Sequence, residues 1–281
     1  MPFGHVLVAV DFSPSWPALL HRLGHLAGWG TSKLTLVHVL DSHYPAAPAE
    51  THRAHYEQEL AQTARELSAR GFAVEHQVRD GDPALEIVEA ATEAEADVIL
   101  AGSHGHSRLR ELFFGNVVLN LARLTDRPLW VEPSLEPVPE EMEPVPMAET
   151  KVLLATDGSD AAAAAEGLFE RLVPRVGSAI VIHVLGRSEQ RRIDAERVEI
   201  VGHLETLEER IPGIETRIEN GRPATVIART ADREQTDLVV IGKRGHNPIR
   251  DILLGSTVEG VCRGISRPVL IVPQHVRGAS Q

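Results

Sequence analysis

The sequence predicts an α/β protein made of one unit written twice, each copy a five-stranded, parallel-type sheet sandwiched by four helices. Three observations carry this expectation. Five segments recur in the same order in both halves of the 281-residue chain. Short apolar runs alternate with longer amphipathic stretches. A glycine-framed loop follows the fourth apolar run of each half. The length suits two domains of about 130 residues, each able to bury its own core.

The repeats set the boundaries. HVLVAVDFS (His5–Ser13) reads against KVLLATDGS (Lys151–Ser159), and LVHVL (Leu36–Leu40) against VIHVL (Val181–Leu185). GDPALEIVEAA (Gly81–Ala91) matches GRPATVIARTA (Gly221–Ala231), ADVILAGSHG (Ala96–Gly105) matches TDLVVIGKRG (Thr236–Gly245), and DRPLWVEP (Asp126–Pro133) matches SRPVLIVP (Ser266–Pro273). The offset is 146 or 145 in the first two pairs and 140 thereafter, as one short deletion between the second and third strands would give. The expected domains are therefore 1–132 and 151–273, with a tail at 274–281. Residues 133–150 between them are rich in Pro and Glu and read as an extended, semi-rigid linker.

In copy one the expected strands are Val6–Val10, Leu34–Leu40, Ala73–Val78, Val98–Ala101 and Leu129–Val131, buried on both faces because they barely alternate. The expected helices are Trp16–Trp29, Thr51–Arg70, Ala84–Ala94 and Asn116–Thr125. Ser13 followed by Pro14 supplies an N-cap and a first-turn proline, and Gly158-Ser159-Asp160 opens the matching helix of copy two. Strands alternating with helices imply right-handed crossovers and a parallel sheet. In such sheets ligands sit at the carboxyl ends of the strands, where strand order reverses.

Composition narrows the function. At 43% hydrophobic and 24% charged the chain is an ordinary globular sequence, and its first apolar run stops at Asp11, too short for a membrane span or a secretory signal. Cys262 is the only cysteine, which excludes a disulfide framework and a Cys-rich zinc site. The cytoplasm is the expected compartment. Residues 1–132 carry 17 acidic and 10 basic side chains, residues 133–150 carry 5 and 0, and residues 151–281 carry 18 and 18. No segment has the basic excess that nucleic-acid binding requires.

The chemistry concentrates after the fourth strands. Copy two has Gly242-Lys243-Arg244-Gly245, nine residues, then Gly255-Ser256-Thr257 opening a helix. Copy one has Gly102-Ser103-His104-Gly105, nine residues, then Gly115-Asn116-Val117. This is the logic of a phosphate cradle: glycines allow close backbone approach and positive φ, and a helix N-terminus presents free N–H groups. A hydroxyl such as that of Ser256 can donate to a phosphate oxygen. Neither copy has the G-x-x-x-x-G-K-[ST] or G-x-G-x-x-G pattern, so neither is a P-loop nor a dinucleotide-binding fingerprint.

Gly-x-x-Gly, nine residues, then Gly-[Ser/Thr], with D-x-S after strand one, H-V after strand two and R-P-V-L-I-V-P at the last strand, resembles the universal stress protein family, twice over. The resemblance covers nearly the whole chain except the linker and the tail. It implies ATP binding at the strand carboxyl ends, with Mg²⁺ or Mn²⁺. By that resemblance Asp157 contacts the ribose and the Val184 backbone the adenine, while Gly242, Lys243, Arg244, Gly245, Gly255, Ser256 and Thr257 hold the phosphates. The counterparts in copy one are Asp11, Val39, Gly102, Gly105, Gly115, Asn116 and Val117. Copy one departs from the pattern at Asn116, where Ser or Thr is expected, so copy two is the better expected site. Family members commonly dimerise through the last strand, which implies an intramolecular pseudo-dimer here and allows a further homodimer.

Simpler roles stand beside these. Asp11 and Asp157 could cap helices. His38 and His183 lie in apolar runs and read as packed core residues, His104 and His106 as loop polarity, and Cys262 as a small buried residue. Three function classes compete: an ATP-binding stress-response protein acting through conformation or partners, a non-binding interaction module of the same fold, and a weak ATP-hydrolysing or nucleotidyl-transferring enzyme. No paired general acid and base recurs around the cradle, which counts against the enzyme, although slow hydrolysis is allowed as a side activity. The intact glycine spacing with Ser256 counts against the non-binding module.

Overall fold

A computed structural model describes residues 3–13, 16–23, 26–41, 49–103, 115–133, 146–186, 193–245 and 254–274. The chain divides into two compact units, residues 1–144 and 145–281. Unit 1 contains β1 (His5–Ala9), α1 (Trp16–Leu23), β2 (Lys33–Asp41), α2 (Ala49–Ala69), β3 (Ala73–Gly81), α3 (Pro83–Glu93), β4 (Val98–Gly102), α4 (Asn116–Leu124) and β5 (Leu129–Glu132). Unit 2 repeats the order with β6 (Lys151–Ala155), α5 (Ala163–Leu172), β7 (Ser178–Leu185), α6 (Ile193–Arg210), β8 (Glu215–Asn220), α7 (Pro223–Glu234), β9 (Leu238–Gly242), α8 (Ser256–Gly264) and β10 (Val269–Val272).

Both sheets are parallel throughout. Within unit 1 the strands lie in the order β3-β2-β1-β4-β5, with Leu7 between Thr35 of β2 and Ile99 of β4. Unit 2 orders its strands β8-β7-β6-β9-β10, with Leu153 between Ile180 and Val239. The chain winds outward from β1 to β3, then returns to the other side of β1. The order therefore reverses between β1 and β4, and again between β6 and β9, which opens a crevice at the carboxyl ends of those strands.

The central strands have helices on both faces, so their runs of Val, Leu and Ile are buried on both sides, among them Leu7, Ile99, Leu153 and Val239. An aspartate anchors the start of each first strand: Asp97 Oδ2 accepts from His5 N, and Asp237 Oδ2 accepts from Lys151 N, both at 2.8 Å. Asp82 caps α3, with Oδ1 accepting from Ala84 N and Leu85 N at 3.0 Å and Pro83 at the first helical position.

Three expectations need correction. β3, expected over Ala73–Val78 as buried on both faces, lies at the edge of its sheet and is mostly exposed or half-buried, as is β8 in unit 2. The helix expected over Trp16–Trp29 ends at Leu23, and Leu26–Trp29 forms a separate 3₁₀ turn closed by Gly30 at φ 87°. Helix α5 starts only at Ala163, after a turn in which Ala162 N donates to Ser159 O, so Ser159 does not cap it. The expected N-cap partner Pro14 lies outside the described residues, as does residues 134–145 of the expected linker.

Candidate functional site

In unit 2 the segment after β6 turns back on itself. Thr156 N still donates to Ile182 O of β7 at 3.1 Å, and then Gly158 takes φ +70°, a left-handed conformation that costs other residues about 1 kcal/mol. The turn is fastened by side chains. Gly158 N donates to Thr156 Oγ1 at 3.1 Å, while Asp157 Oδ1 accepts from Ser159 N at 3.1 Å and from Ser159 Oγ at 2.6 Å. Asp157 therefore closes an Asx turn rather than capping α5.

Across the crevice, the segment after β9 carries the glycine framework. Lys243 N donates to Val272 O of β10 at 2.7 Å, and Gly255 N donates to Lys243 O at 3.2 Å, which brings the start of α8 against the end of β9. Gly255 is the N-cap, with φ −62° and no side chain to occupy the first-turn N–H groups. Ser256 is exposed, Thr257, Arg244 and Gly245 are half-buried, and Lys243 is buried at 7% exposure. The dipole of α8 adds partial positive charge at the same end.

The two loops meet. A Cβ on Gly245 would overlap Asp157 Oδ2 and lie 3.2 Å from its Cγ, so the Asp157 carboxylate packs directly against the glycine. A Cβ on Gly255 would lie 3.3 Å from Lys243 O, and one on Gly242 would lie 3.2 Å from Arg244 O. None of these three has positive φ. The expectation that they adopt it is thus corrected: glycine is required here by close approach, and Gly158 is the residue of the site that needs the left-handed region.

Unit 1 reproduces the frame. Ser103 N donates to Glu132 O at 2.7 Å, Gly115 N to Ser103 O at 3.0 Å, and Ser13 N to Asp11 Oδ1 at 3.0 Å. Gly115 again caps its helix with no side chain, and Asn116 and Val117 are exposed. Gly102 ends β4. Gly105, His104 and His106 lie outside the described residues. Val39 and Val184 sit near the ends of β2 and β7, each one strand away from the reversal. His38 and His183 are buried, and His38 Nδ1 donates to Val10 O at 2.7 Å. Cys262 is buried on α8, and burial pushes its thiol up to about 12.

Sequence reasoning missed one cluster. Glu166 on α5, 3% exposed, accepts from Thr156 Oγ1 at 2.6 Å and from His203 Nε2 of α6 at 2.9 Å. Arg210 Nη2 stands 3.8 Å from its other oxygen. A glutamate amid the alanines of Ala161–Ala165 was the available signal.

A doubly wound parallel sheet with a glycine-framed loop at its reversal point, built twice, defines an α/β protein of two repeated units. The model of the universal stress protein family matches residues 2–133 and again 149–273, and the chain belongs to that family, with two such units. A universal stress protein A homologue of Coxiella burnetii is 28% identical over 145 residues, 47% of this chain and 99% of that protein. A Thermus aquaticus universal stress protein is 31% identical over 140 residues, 43% of this chain and 96% of that one. Alignments with two Methanocaldococcus jannaschii universal stress proteins are 36% and 39% identical but span only 41% and 35% of those relatives. Among solved structures, a universal stress protein of Archaeoglobus fulgidus shares the fold over 96% of both chains, at 22% identity and a TM-score of 0.72. One from Pseudomonas aeruginosa covers 97% of this chain and 94% of its own, at 18% identity and a TM-score of 0.72. Among the described residues, no helix is long and apolar enough to cross a membrane.

Proposed function

We propose that unit 2 binds ATP in the crevice between the ends of β6 and β9, and that the chain acts in stress response by changing conformation or partners with nucleotide occupancy. The observation that carries this reading is the seating of Asp157 against Gly245, beside the uncapped N-terminus of α8. A triphosphate fits such a cradle. The first-turn N–H groups of α8 would meet it, with the hydroxyls of Ser256 and Thr257 donating and Arg244 supplying positive charge. Asp157 would take the ribose and the Val184 backbone the base, as the family resemblance implies. Among the described residues no trio of His, Cys, Asp or Glu could hold a metal ion. The Mg²⁺ or Mn²⁺ ion that the family resemblance implies would balance the charge of the triphosphate.

Unit 1 has the same frame but presents Asn116 at the helix start, so it is the weaker site. Mass spectrometry of small molecules released from the heat-denatured protein should find an adenine nucleotide, and calorimetry with ATP should give one tight site per chain. Protein that releases no nucleotide and gives no heat with ATP would defeat the proposal. We further propose that β5 and β10, each the last strand of its unit, pair within the chain, since an open strand edge invites pairing. Slow, concentration-independent exchange of their amides is the expected result, and fast exchange would remove this pairing.

A further inference from the structure

The two units share the Asx bond of their first loops but back it with different side chains. In unit 1 Phe12 occupies the position of Gly158 and has φ +51°. Its ring packs 5.5 Å from Tyr56 of α2, nearly parallel at 21°, and 5.3 Å from His38. The flanking Val10 is buried and Leu20 half-buried, and both are apolar. Unit 2 has exchanged this set together: Thr156 for Val10, Gly158 for Phe12 and Glu166 for Leu20. His203 of α6 packs on the vacated position, where a Cβ on Gly158 would lie 3.4 Å from its Cδ2.

Burying a carboxylate is costly, and apolar replacement of a buried ionic group is often neutral or stabilising. Unit 1 closes the same turn, Ser13 N on Asp11 Oδ1, with Leu20 in the place of the buried glutamate. Stability alone therefore does not account for Glu166, and its hydrogen bonds lead to the site. From Glu166 Oε1 the bonds run to the Thr156 hydroxyl, and Thr156 Oγ1 in turn accepts from the Gly158 amide. The next amide, that of Ser159, holds the Asp157 carboxylate whose other oxygen meets Gly245. A hydroxyl that donates to a buried carboxylate has its acceptor side fixed, and an amide bonded to that side is fixed with it.

We propose that Glu166 and Thr156 are positioning residues of the unit 2 site, setting the Asp157–Ser159 turn and tying it through His203 to α6. This rests on the nucleotide reading for its consequence, though not for its geometry. Amide-resolved hydrogen exchange on the full chain tests both. Without nucleotide, Thr156→Val should speed exchange of the Gly158 amide about tenfold, and Thr156→Ser should restore it. With ATP, the concentration that half-protects the start of α8 should rise about tenfold in Thr156→Val and stay within about threefold in Thr156→Ser. The double variant Thr156→Val with Glu166→Leu installs the unit 1 pair. It should melt at or above the wild-type temperature yet keep the fast Gly158 exchange and the weak ATP response.

Unchanged Gly158 exchange in Thr156→Val overturns the anchor. Faster exchange with unaltered ATP response shows that the turn does not serve the site. An ATP response that recovers with stability in the double variant reduces the cluster to packing. If wild type shows no ATP response at all, the nucleotide reading falls, and the anchor is still decided by Gly158 exchange alone.

Discussion

Replacing Gly245 with alanine adds a net one carbon and two hydrogens, yet it should disable the unit 2 site. The new Cβ would overlap Asp157 Oδ2, so either the carboxylate or the loop must move. The carboxylate is held on its other oxygen by Ser159 N at 3.1 Å and Ser159 Oγ at 2.6 Å. Rotating it away forfeits charged hydrogen bonds worth about 1.5–3 kcal/mol each, and moving the loop shifts the glycine cradle instead. Either way about 2–3 kcal/mol of binding should be lost, roughly a thirty- to hundredfold rise in Kd. At an ATP concentration of 100 times the wild-type Kd, ATP stabilises the wild type by about 2.7 kcal/mol, and a hundredfold weaker variant by only about 0.4 kcal/mol. Thermal unfolding with and without ATP reads this difference directly. The double variant Gly245→Ala with Asp157→Ala identifies the cause, because removing the carboxylate makes room for the Cβ. The two losses should then be markedly less than additive. A folded Gly245→Ala protein with the full wild-type ATP shift would refute the reasoning.

Glycines elsewhere give the opposite sign. Gly167 and Gly202 lie inside α5 and α6 with nothing within 4 Å of an added Cβ, so alanine at each should stabilise by about 0.5–1 kcal/mol in thermal melts. Gly260 of α8 would place its Cβ 2.7 Å from Ala224 Cβ of α7, and Gly260→Ala should lower the melting temperature by forcing those helices apart. Burial raises the Glu132 carboxyl above its ordinary 4.5, against the opposing pull of Arg22 and Trp130. A raised carboxyl contributes stability that is fully present below pH 4.5 and lost as pH rises through its folded value, so Glu132→Gln should gain on wild type between pH 4 and neutral pH. Asn116→Ser should strengthen ATP binding by unit 1 about tenfold, read as a second calorimetric site, and no second site would shift the cause away from this side chain.

The architecture was legible because it rests on local, repeated signals. Apolar runs of three to seven residues marked the strands, and Gly-x-x-Gly with its nine-residue spacing located the loop that follows β9. What was not legible depends on partners distant in sequence. Glu166 meets Thr156 ten residues away and His203 thirty-seven away, and no periodicity reports such a pairing. The reason for Gly245 was likewise hidden. Its sequence says only that a side chain is excluded, and positive φ is the usual cause. The excluding group is a carboxylate in the turn after β6, 88 positions earlier. The outer strand β3 was misjudged because Ala73–Val78 holds enough apolar residues to suggest burial, while its place at the rim of the sheet leaves it solvated.

Duplication turns each unit into a control for the other. The backbone bonds that close the cradle recur almost unchanged: 2.7 Å from Ser103 N and from Lys243 N to the last strand, and 3.0 and 3.2 Å from the helix-capping glycines back to the same two residues. A frame shared to this degree cannot by itself distinguish the ligands of the two units. Net charge differs, −7 over residues 1–132 against zero over 151–281, but screening beyond about 10 Å at 0.1 M salt leaves the near side chains in control. Among the described residues those near side chains include Asn116 against Ser256, Ser103 against Lys243, and Phe12 against Gly158 with the buried Glu166 behind it. The last pair differs in kind from the others. The first two change side chains at the cradle, whereas the exchange at Gly158 replaces ring packing with directional hydrogen bonds that run from Glu166 through the Thr156 hydroxyl to the Gly158 amide. Hydrogen bonds specify a geometry more sharply than apolar contact does, and the unit that carries them is also the one with a hydroxyl at the start of its cradle helix.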